Sequence, residues 1–351
     1  MKTSRMHEKD LCKQNVARDL ARSFIIHLLI FGIAIMPPQA LVVYSSGQIL
    51  RRGLKFVLAN HQERMARWQL DRLVRKFQIF YGCHPKDCQR IWYALQQTTV
   101  AAARVPRSKL KLDYFLMAFY FLRTYETQEQ IESKFPFCRE TIDTWLWYYL
   151  RKVQRLKEEK IVWPEEWNND PGNPFCPYFL FSVDGTHCRV MERQTPTYNR
   201  DNAYYSHKFH GAGLNYEVAL HCYENKIVHI KGPDPAGRGD KAAFRDELHG
   251  KIPAGSRAVA DNGYRADDLD DSLALPNAHA PKPVRKFLQR ARARHETLYS
   301  RMKVFSVLSD RFRCKHPHDR DPKHKTCFEA VAVIIQFQME NDSPLFCVDH
   351  L

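Results

Sequence analysis

Three acidic residues occupy positions that suit phosphodiester chemistry. Asp184 interrupts an apolar run that is typical of a buried β-strand, Asp261 ends a second short apolar run, and Glu296 is the first glutamate after Asp261. Three carboxylates that converge on one point can hold two divalent ions about 3.5–4 Å apart, which clamp the attacking and leaving oxygens of a phosphodiester. We therefore treat Asp184, Asp261 and Glu296 as candidate catalytic and metal-binding residues.

The carboxylate chemistry also indicates the metal. Mg²⁺ takes oxygen ligands and keeps several waters, so a few carboxylates are enough for it, and we expect two ions of Mg²⁺ or Mn²⁺. Each residue also has a purely structural explanation. Asp184 suits the cap of a turn, Asp261 suits a turn before Gly263, and Glu296 suits an ion pair with Arg292 one helical turn earlier.

Strand and helix patterns in the carboxyl half place these residues in a fold. Alternation and apolar runs predict strands over 178–190, 214–222, 226–233 and 256–264, and helices over 240–250, 285–312 and 327–341. The order strand, strand, strand, helix, strand, helix is that of an RNase H-like core. We therefore predict an α/β fold with a mixed β-sheet flanked by helices, whose first strand and fourth strand's end each supply an aspartate.

The amino-terminal half has a different pattern, helical and basic. Residues 127–153 have the layout of a helix-turn-helix, with a break at Phe135-Pro136 and Arg139 near the start of the second helix, where groove-reading side chains lie. An ordinary helical hairpin with a core of aromatic residues is the alternative. A connector rich in Pro, Asn and Asp predicts a boundary near residue 165. The predicted divisions are 1–47, 48–165 and 166–345.

Charge indicates a polyanionic partner. The chain has 351 residues, with 54 Lys and Arg against 39 Asp and Glu, a net charge of +15. This excess of cations favours contact with nucleic acid, and double-stranded DNA is the expected partner. We expect six basic residues near the predicted recognition helix and the carboxylates to contact DNA: Arg139, Arg200, Lys208, Arg285, Lys286 and Arg292.

Two segments leave alternatives open. The apolar run 24–36 is short for a bilayer span and ends at Pro37-Pro38, which argues against a membrane anchor. A buried or partner-binding helix and an inaccurate start are the other interpretations. Cysteines and histidines between Cys314 and Cys327 lie close enough in sequence for zinc, but they lack a paired Cys-x-x-Cys arrangement. The ten cysteines are scattered, which favours a reducing compartment.

Five segments together resemble the DDE superfamily endonuclease domain of PIF/Harbinger-type transposases. They are VDGTH around Asp184, the blocks 197–220 and 230–248, ADNGY around Asp261, and ARHETLYSRMKVFSVLSDRF around Glu296. They occur in the family's order and cover most of residues 178–341. The resemblance implies that the three acidic residues hold the metal ions. Asp240 matches a further motif aspartate, which we do not assign to the metal set.

The resemblance also implies an activity and partners. It implies a transposase that cleaves DNA at transposon ends and joins them to target DNA, that acts as a homo-oligomer in the nucleus, and that uses a Myb-like DNA-binding partner protein. A domesticated, non-cleaving DNA-binding protein, an RNase H-like RNA nuclease and a membrane-tethered protein are the alternatives. The sequence contains no Walker-type phosphate loop, dinucleotide fingerprint or GxSxG elbow.

Overall fold

The computed structural model describes residues 41–167, 174–176, 178–192, 202–314 and 317–348. The apolar run 24–36 and Arg200 lie outside these ranges, and so does His316. No helix within the described ranges combines the length and the apolar character that a bilayer crossing requires.

The first part of the described chain is helical. Its helices are α1 (Ser46–Val57), α2 (Gln62–Met65), α3 (Leu70–Tyr81), α4 (Pro85–Gln97), α5 (Leu112–Thr124), α6 (Gln128–Glu132), α7 (Arg139–Arg155) and α8 (Lys157–Lys160). Local sequence explains several helix starts. Ser45 and Thr127 form capping boxes with the residues three positions later, and Pro85 occupies the first turn of α4.

The predicted helix pair at 127–153 is confirmed as α6 and α7. The buried residues of α7 are those that the sequence pattern placed on one side: Ile142, Leu146, Tyr149, Leu150 and Val153. This side packs against α5 and against the carboxyl-terminal helix, so it belongs to the protein core. Arg139 begins α7 and is exposed, but its guanidinium forms an ion pair with Glu129 of α6.

A six-stranded sheet follows the helical part. Its strands are β1 (Phe179–Arg189), β2 (Tyr205–Ser206), β3 (Gly211–His221), β4 (Ile227–Pro235), β5 (Arg257–Val259) and β6 (Leu273–Ala274). The order across the sheet is β4-β3-β1-β5-β6, and β2 pairs with the start of β3. The pairs β1–β3 and β3–β4 are antiparallel, whereas β1–β5 and β5–β6 are parallel. This topology confirms the predicted α/β, RNase H-like fold class.

Helices cover the sheet. They are α9 (Asp240–Glu247), α10 (Lys282–Lys303), α11 (Ser306–Ser309) and α12 (Pro317–Glu340). The helix predicted at 285–312 ends earlier, because Phe305 has extended backbone and starts a separate short helix. The last helix begins ten residues before its predicted start at 327. The two-residue strands β2 and β6 were not predicted, because two residues are too few to show alternation.

Both faces of the sheet are buried. On one face Phe181, Val183 and Ala219 pack with two residues of the α9 region. These are Phe244, within α9, and Leu248, directly after it. On the other face Tyr216 stacks on Phe328 of α12, with ring centroids 3.8 Å apart. The sheet is therefore the middle layer of the fold, and its polar residues reach solvent mainly at the ends of strands.

Helix α12 also packs against the amino-terminal helices α4, α7 and α8. At this contact Glu329 is 1% exposed. It accepts a hydrogen bond of 2.6 Å from the side-chain amide of Gln154 and forms an ion pair with Lys157. A buried carboxylate is thus fully compensated between the sheet region and the helical region. The domain boundary near residue 165 stays a prediction.

Candidate active site

Asp184 lies in the middle of β1, and Asp261 lies beside it, two residues after the end of the parallel strand β5. In the β1–β5 register Ser182 pairs with Val259, and each aspartate comes two residues after its member of that pair. Because side chains alternate along extended chain, each aspartate points to the same face as the paired residue before it. Neighbouring strands are about 4.8 Å apart, so the two carboxylates are neighbours. The sequence prediction that brought these two aspartates together agrees with this arrangement.

The electrostatics of Asp184 agree with this geometry. The pKa of Asp184 is raised to about 6, chiefly by burial and also by the negative charges of Asp261 and Asp240, against the lowering effects of Lys208 and of the Gly185 amide. That amide donates to Oδ1 of Asp184 at 2.8 Å, and the amide of Gly263 donates to Oδ1 of Asp261 at the same distance. Among the described residues neither aspartate has an ion-pair partner. The ionised form of Asp184 is therefore only partly compensated, by the Gly185 amide and by Lys208.

Helix α10 fixes the backbone around Asp184. The Ser182 hydroxyl lies 2.9 Å from Nδ1 of His295, and the Tyr299 hydroxyl donates to the backbone carbonyl of Asp184. His295 is 2% exposed and Tyr299 is 8% exposed. These two contacts hold α10 against β1 and leave the Asp184 carboxylate free of direct hydrogen bonds from the helix.

Asp240 is the acidic residue that the sequence interpretation left out of the site and that the structure brings to Asp184. A Cβ atom on Gly185 would lie 2.3 Å from Oδ1 of Asp240 and 3.3 Å from Oδ1 of Asn215. The side-chain amide of Asn215 donates to Oδ1 of Asp240 at 3.0 Å, while Oδ1 of Asn215 is buried without a partner in the described structure. Glycine at 185 thus lets Asp240 approach β1 directly after Asp184.

A second buried carboxyl group, Glu217, was also missed. It pairs with Gly185 across the β1–β3 ladder, is 2% exposed, and accepts a hydrogen bond of 3.1 Å from the Tyr264 hydroxyl. Burial raises the pKa of Glu217 to about 8, against the lowering effects of that hydrogen bond and of Lys231, so the group carries a proton at neutral pH. The sequence signal that could have identified Glu217 was an acidic residue within a predicted strand, between the apolar residues Tyr216 and Val218.

Lys208 supplies positive charge beside Asp184. Its ammonium donates to the carbonyl oxygen of Gly185 at 3.2 Å, and its side chain is otherwise exposed. Next to it, Nδ1 of His187 lies 2.7 Å from the Ser206 hydroxyl. Burial, and then the charge of Lys208, lower the pKa of His187 to about 4, so this imidazole is neutral at physiological pH. Lys208 was predicted as a DNA contact, and its position at the carboxylates is compatible with that prediction.

Glu296 does not join the two aspartates. It lies on α10 directly after buried His295, and its side chain is exposed. In the described structure it makes no hydrogen bond or ion pair, and so the alternative pairing with Arg292 is not formed. Within the described ranges, no three His, Cys, Asp or Glu side chains stand at distances that would bind a metal ion.

The remaining predicted residues have separate positions. Arg285 and Lys286 are exposed at the start of α10, three turns before Glu296. The proposed zinc residues do not converge among the described positions, because His324 is buried and its Nδ1 lies 2.7 Å from the Tyr216 hydroxyl, while Cys327 is buried within α12.

The donor set nevertheless fits a hard divalent cation. Asp184 and Asp261 supply carboxylate oxygens, while Asp240 and the unpaired amide oxygen of Asn215 lie next to Gly185, the residue after Asp184. These are the ligand types that Mg²⁺ and Mn²⁺ prefer.

Comparisons with known proteins give limited similarity. No family model matches the chain, and no curated protein matches it. Among solved structures, the crystal structure of a pre-cleavage Mos1 transpososome is similar at 9% sequence identity, over 85% of this chain and 97% of that chain, with a TM-score of 0.25. The RNase H-like topology of this chain therefore rests on its own strand order and not on that likeness.

Proposed function

We propose that the chain is a metal-dependent DNA endonuclease of the DDE transposase type, related to the PIF/Harbinger group. The observation that carries this proposal is the matched placement of Asp184 on β1 and of Asp261 two residues after the parallel strand β5. Two divalent ions, Mg²⁺ or Mn²⁺, when bound there would activate a water molecule and neutralise charge on the phosphodiester. In this proposal Asp184 and Asp261 hold the ions and Glu296 completes the ligand set.

The surrounding residues have distinct tasks in this proposal. Tyr299 and His295 hold the β1 backbone in place through the Asp184 carbonyl and Ser182. Lys208, beside Asp184, attracts the phosphate of a bound strand. For Glu296 to reach the aspartates, its exposed side chain must turn toward β1, and we expect this change when cations and DNA bind.

Partners and location follow from the proposed activity. A transposase of this type acts on two DNA ends, which requires a homo-oligomer, and we propose nuclear location together with a Myb-like partner protein for DNA recognition. The sequence resemblance across 178–341 supports this part of the proposal.

The second candidate is a domesticated DNA-binding protein that no longer cleaves. The observation that favours it is the exposed position of Glu296, away from Asp184 and Asp261. Under this alternative the basic surface binds DNA, and the carboxylates are retained from the ancestral fold without a catalytic role.

Nicking of supercoiled plasmid separates the two candidates. The purified chain is incubated with Mg²⁺ or Mn²⁺, or with EDTA, on plasmids with and without the ends of its own locus. We expect metal-dependent nicking that Asp184→Asn abolishes. The matched control is Asp270→Asn, an exposed aspartate outside the site, which should cleave like the wild type. DNA binding by all three proteins without cleavage by any would establish the non-cleaving candidate.

A further inference from the structure

The amino-terminal helix α3 is held in a fixed orientation by its inner face. Phe77 and Tyr81 are both 0% exposed, and their rings stack with centroids 4.3 Å apart. The Tyr81 hydroxyl donates to the carbonyl oxygen of Gly53 at 2.8 Å, and a Cβ on Gly53 would lie 2.6 Å from the Phe77 ring. The backbone of α1 at Gly53 therefore contacts the aromatic side chains of α3 directly, and the opposite face of α3 is directed outward.

That outward face forms a basic groove with a volume of about 480 Å³. Its lining residues are Arg67, Trp68, Gln69, Arg72, Arg75, Lys76 and Ile79. Four of the seven are cationic and none is acidic. On the helix, Arg72, Arg75, Lys76 and Ile79 follow each other at steps of one to three residues along one side. We call this feature the α3 groove.

The cations of the α3 groove are not neutralised within the described structure. Arg67, Arg75 and Lys76 make no ion pair there, and Asp71, four residues before Arg75, forms no ion pair with it. Unlike these residues, Arg139 at the start of α7 is paired with Glu129. The α3 groove is thus a concentration of positive charge without an ion-pair partner in the described part of the chain.

The aromatic residue of the α3 groove restricts the type of ligand. The Arg72 guanidinium lies over the Trp68 ring, 4.4 Å from its centroid, so one face of the indole is already occupied. Single-stranded nucleic acid is bound largely by base stacking on open aromatic faces. Backbone contact by cations is instead the usual mode for duplex DNA, in which phosphates are the main electrostatic target. Arg72 and Lys76 are separated by about 6 Å along the helix axis, a spacing that lets them contact phosphates of one strand.

We propose that the α3 groove binds the phosphate backbone of duplex DNA, as a site separate from the Asp184 region. The site does not depend on cleavage, because it uses none of the carboxylates. Binding there would hold DNA on the helical region whether or not the chain cuts it.

Fluorescence anisotropy with a labelled random-sequence duplex of about 30 base pairs tests this proposal across salt concentrations. The variant is Arg75→Glu/Lys76→Glu. The matched control is Lys226→Glu/Lys251→Glu, which makes the same change in net charge with exposed lysines near the end of the sheet opposite Asp184. Because all four side chains lie at the surface, circular dichroism and thermal unfolding should match the wild type and confirm folding.

The groove variant should bind at least tenfold more weakly at 0.1 M salt. The slope of log K against log salt should fall by about 2, since each lost phosphate contact removes about 0.9. The control should stay within about twofold of the wild type. Equal weakening of the two variants would show a general charge effect and overturn the proposal. Tighter binding of a matched RNA duplex or single strand, lost in the groove variant alone, would overturn the assignment to duplex DNA.

Discussion

The Asp184 region and the α3 groove are two places where the described part of the chain leaves charge without an ion-pair partner, with opposite signs. On β1, burial and the neighbouring carboxylates raise the pKa of Asp184, while the cations on α3 have no acidic neighbour among the residues that line the groove. By contrast, the buried carboxylate of Glu329 is compensated, because Gln154 donates a hydrogen bond to it and Lys157 forms an ion pair with it. The contrast indicates that the two uncompensated regions are for ligands: cations at the carboxylates and a polyanion at the groove.

The largest expected effect is on cleavage. Asp261→Asn removes one of the two neighbouring carboxylates of the proposed site, so the rate of plasmid nicking should fall about 10²–10³-fold, the loss typical of removing one charge-stabilising group. Binding of duplex DNA, measured by anisotropy, should change little, because the α3 groove is intact. A variant that nicks at the wild-type rate would remove Asp261 from the proposed site.

The compensated carboxylate provides the next test. Lys157→Met leaves Glu329 buried with only the Gln154 hydrogen bond, and the free energy of unfolding should fall by about 3 kcal/mol. The double variant Lys157→Met/Glu329→Gln should recover most of this loss, because no buried charge remains. Urea unfolding of the three proteins measures both values. A double variant as unstable as Lys157→Met would show that packing, and not charge, causes the loss.

Glu217 should give the fold a pH dependence. Its pKa is raised to about 8 in the folded protein, above its ordinary value of 4.5, so its stabilising contribution is complete below about pH 4.5 and is lost as pH rises toward 8. Glu217→Gln cannot ionise and should lose less unfolding free energy between pH 5 and pH 8, by about 2–3 kcal/mol. Urea unfolding at the two pH values compares the variant with the wild type, and parallel losses would contradict the assignment.

Gly185→Ala tests the approach of Asp240 to β1. Its Cβ would lie 2.3 Å from Oδ1 of Asp240, so that carboxylate must move away. We expect a loss of about 1–2 kcal/mol in unfolding free energy, as for other overpacked positions. The loss should shrink when Asp240→Ala is added, whereas an additive double variant would show that Asp240 is not the residue displaced. Thermal unfolding of the single and double variants measures the coupling.

The features that could be predicted from the sequence are those that depend on neighbouring residues in the chain. The apolar runs at Asp184 and Asp261 predicted both strands, and the buried stripe of α10 includes Leu288, Ala291 and His295. Because Glu296 directly follows His295 on the helix, its side chain lies outside this buried face. Burial and the phase of a helix are therefore readable from sequence where the pattern is long.

The features that were missed depend on contacts between distant segments. Asp240 reaches Asp184 only because Gly185 has no side chain and because Asn215, from another strand, bonds the Asp240 carboxylate. The pairing of Arg139 with Glu129 likewise depends on how α6 turns into α7. No single-sequence pattern contains these juxtapositions, since they require the three-dimensional positions of both partners.

Direct cation binding is the measurement closest to the central claim, that Asp184 and Asp261 form a divalent-cation site. Mn²⁺ is titrated by calorimetry at pH 7.5 into the wild type, Asp184→Asn, Asp261→Asn and the control Asp270→Asn. The account predicts a Mn²⁺ binding signal in the wild type and the control that is lost or weakened at least tenfold in the two site variants. Equal Mn²⁺ binding by all four proteins, or binding by none, would contradict it.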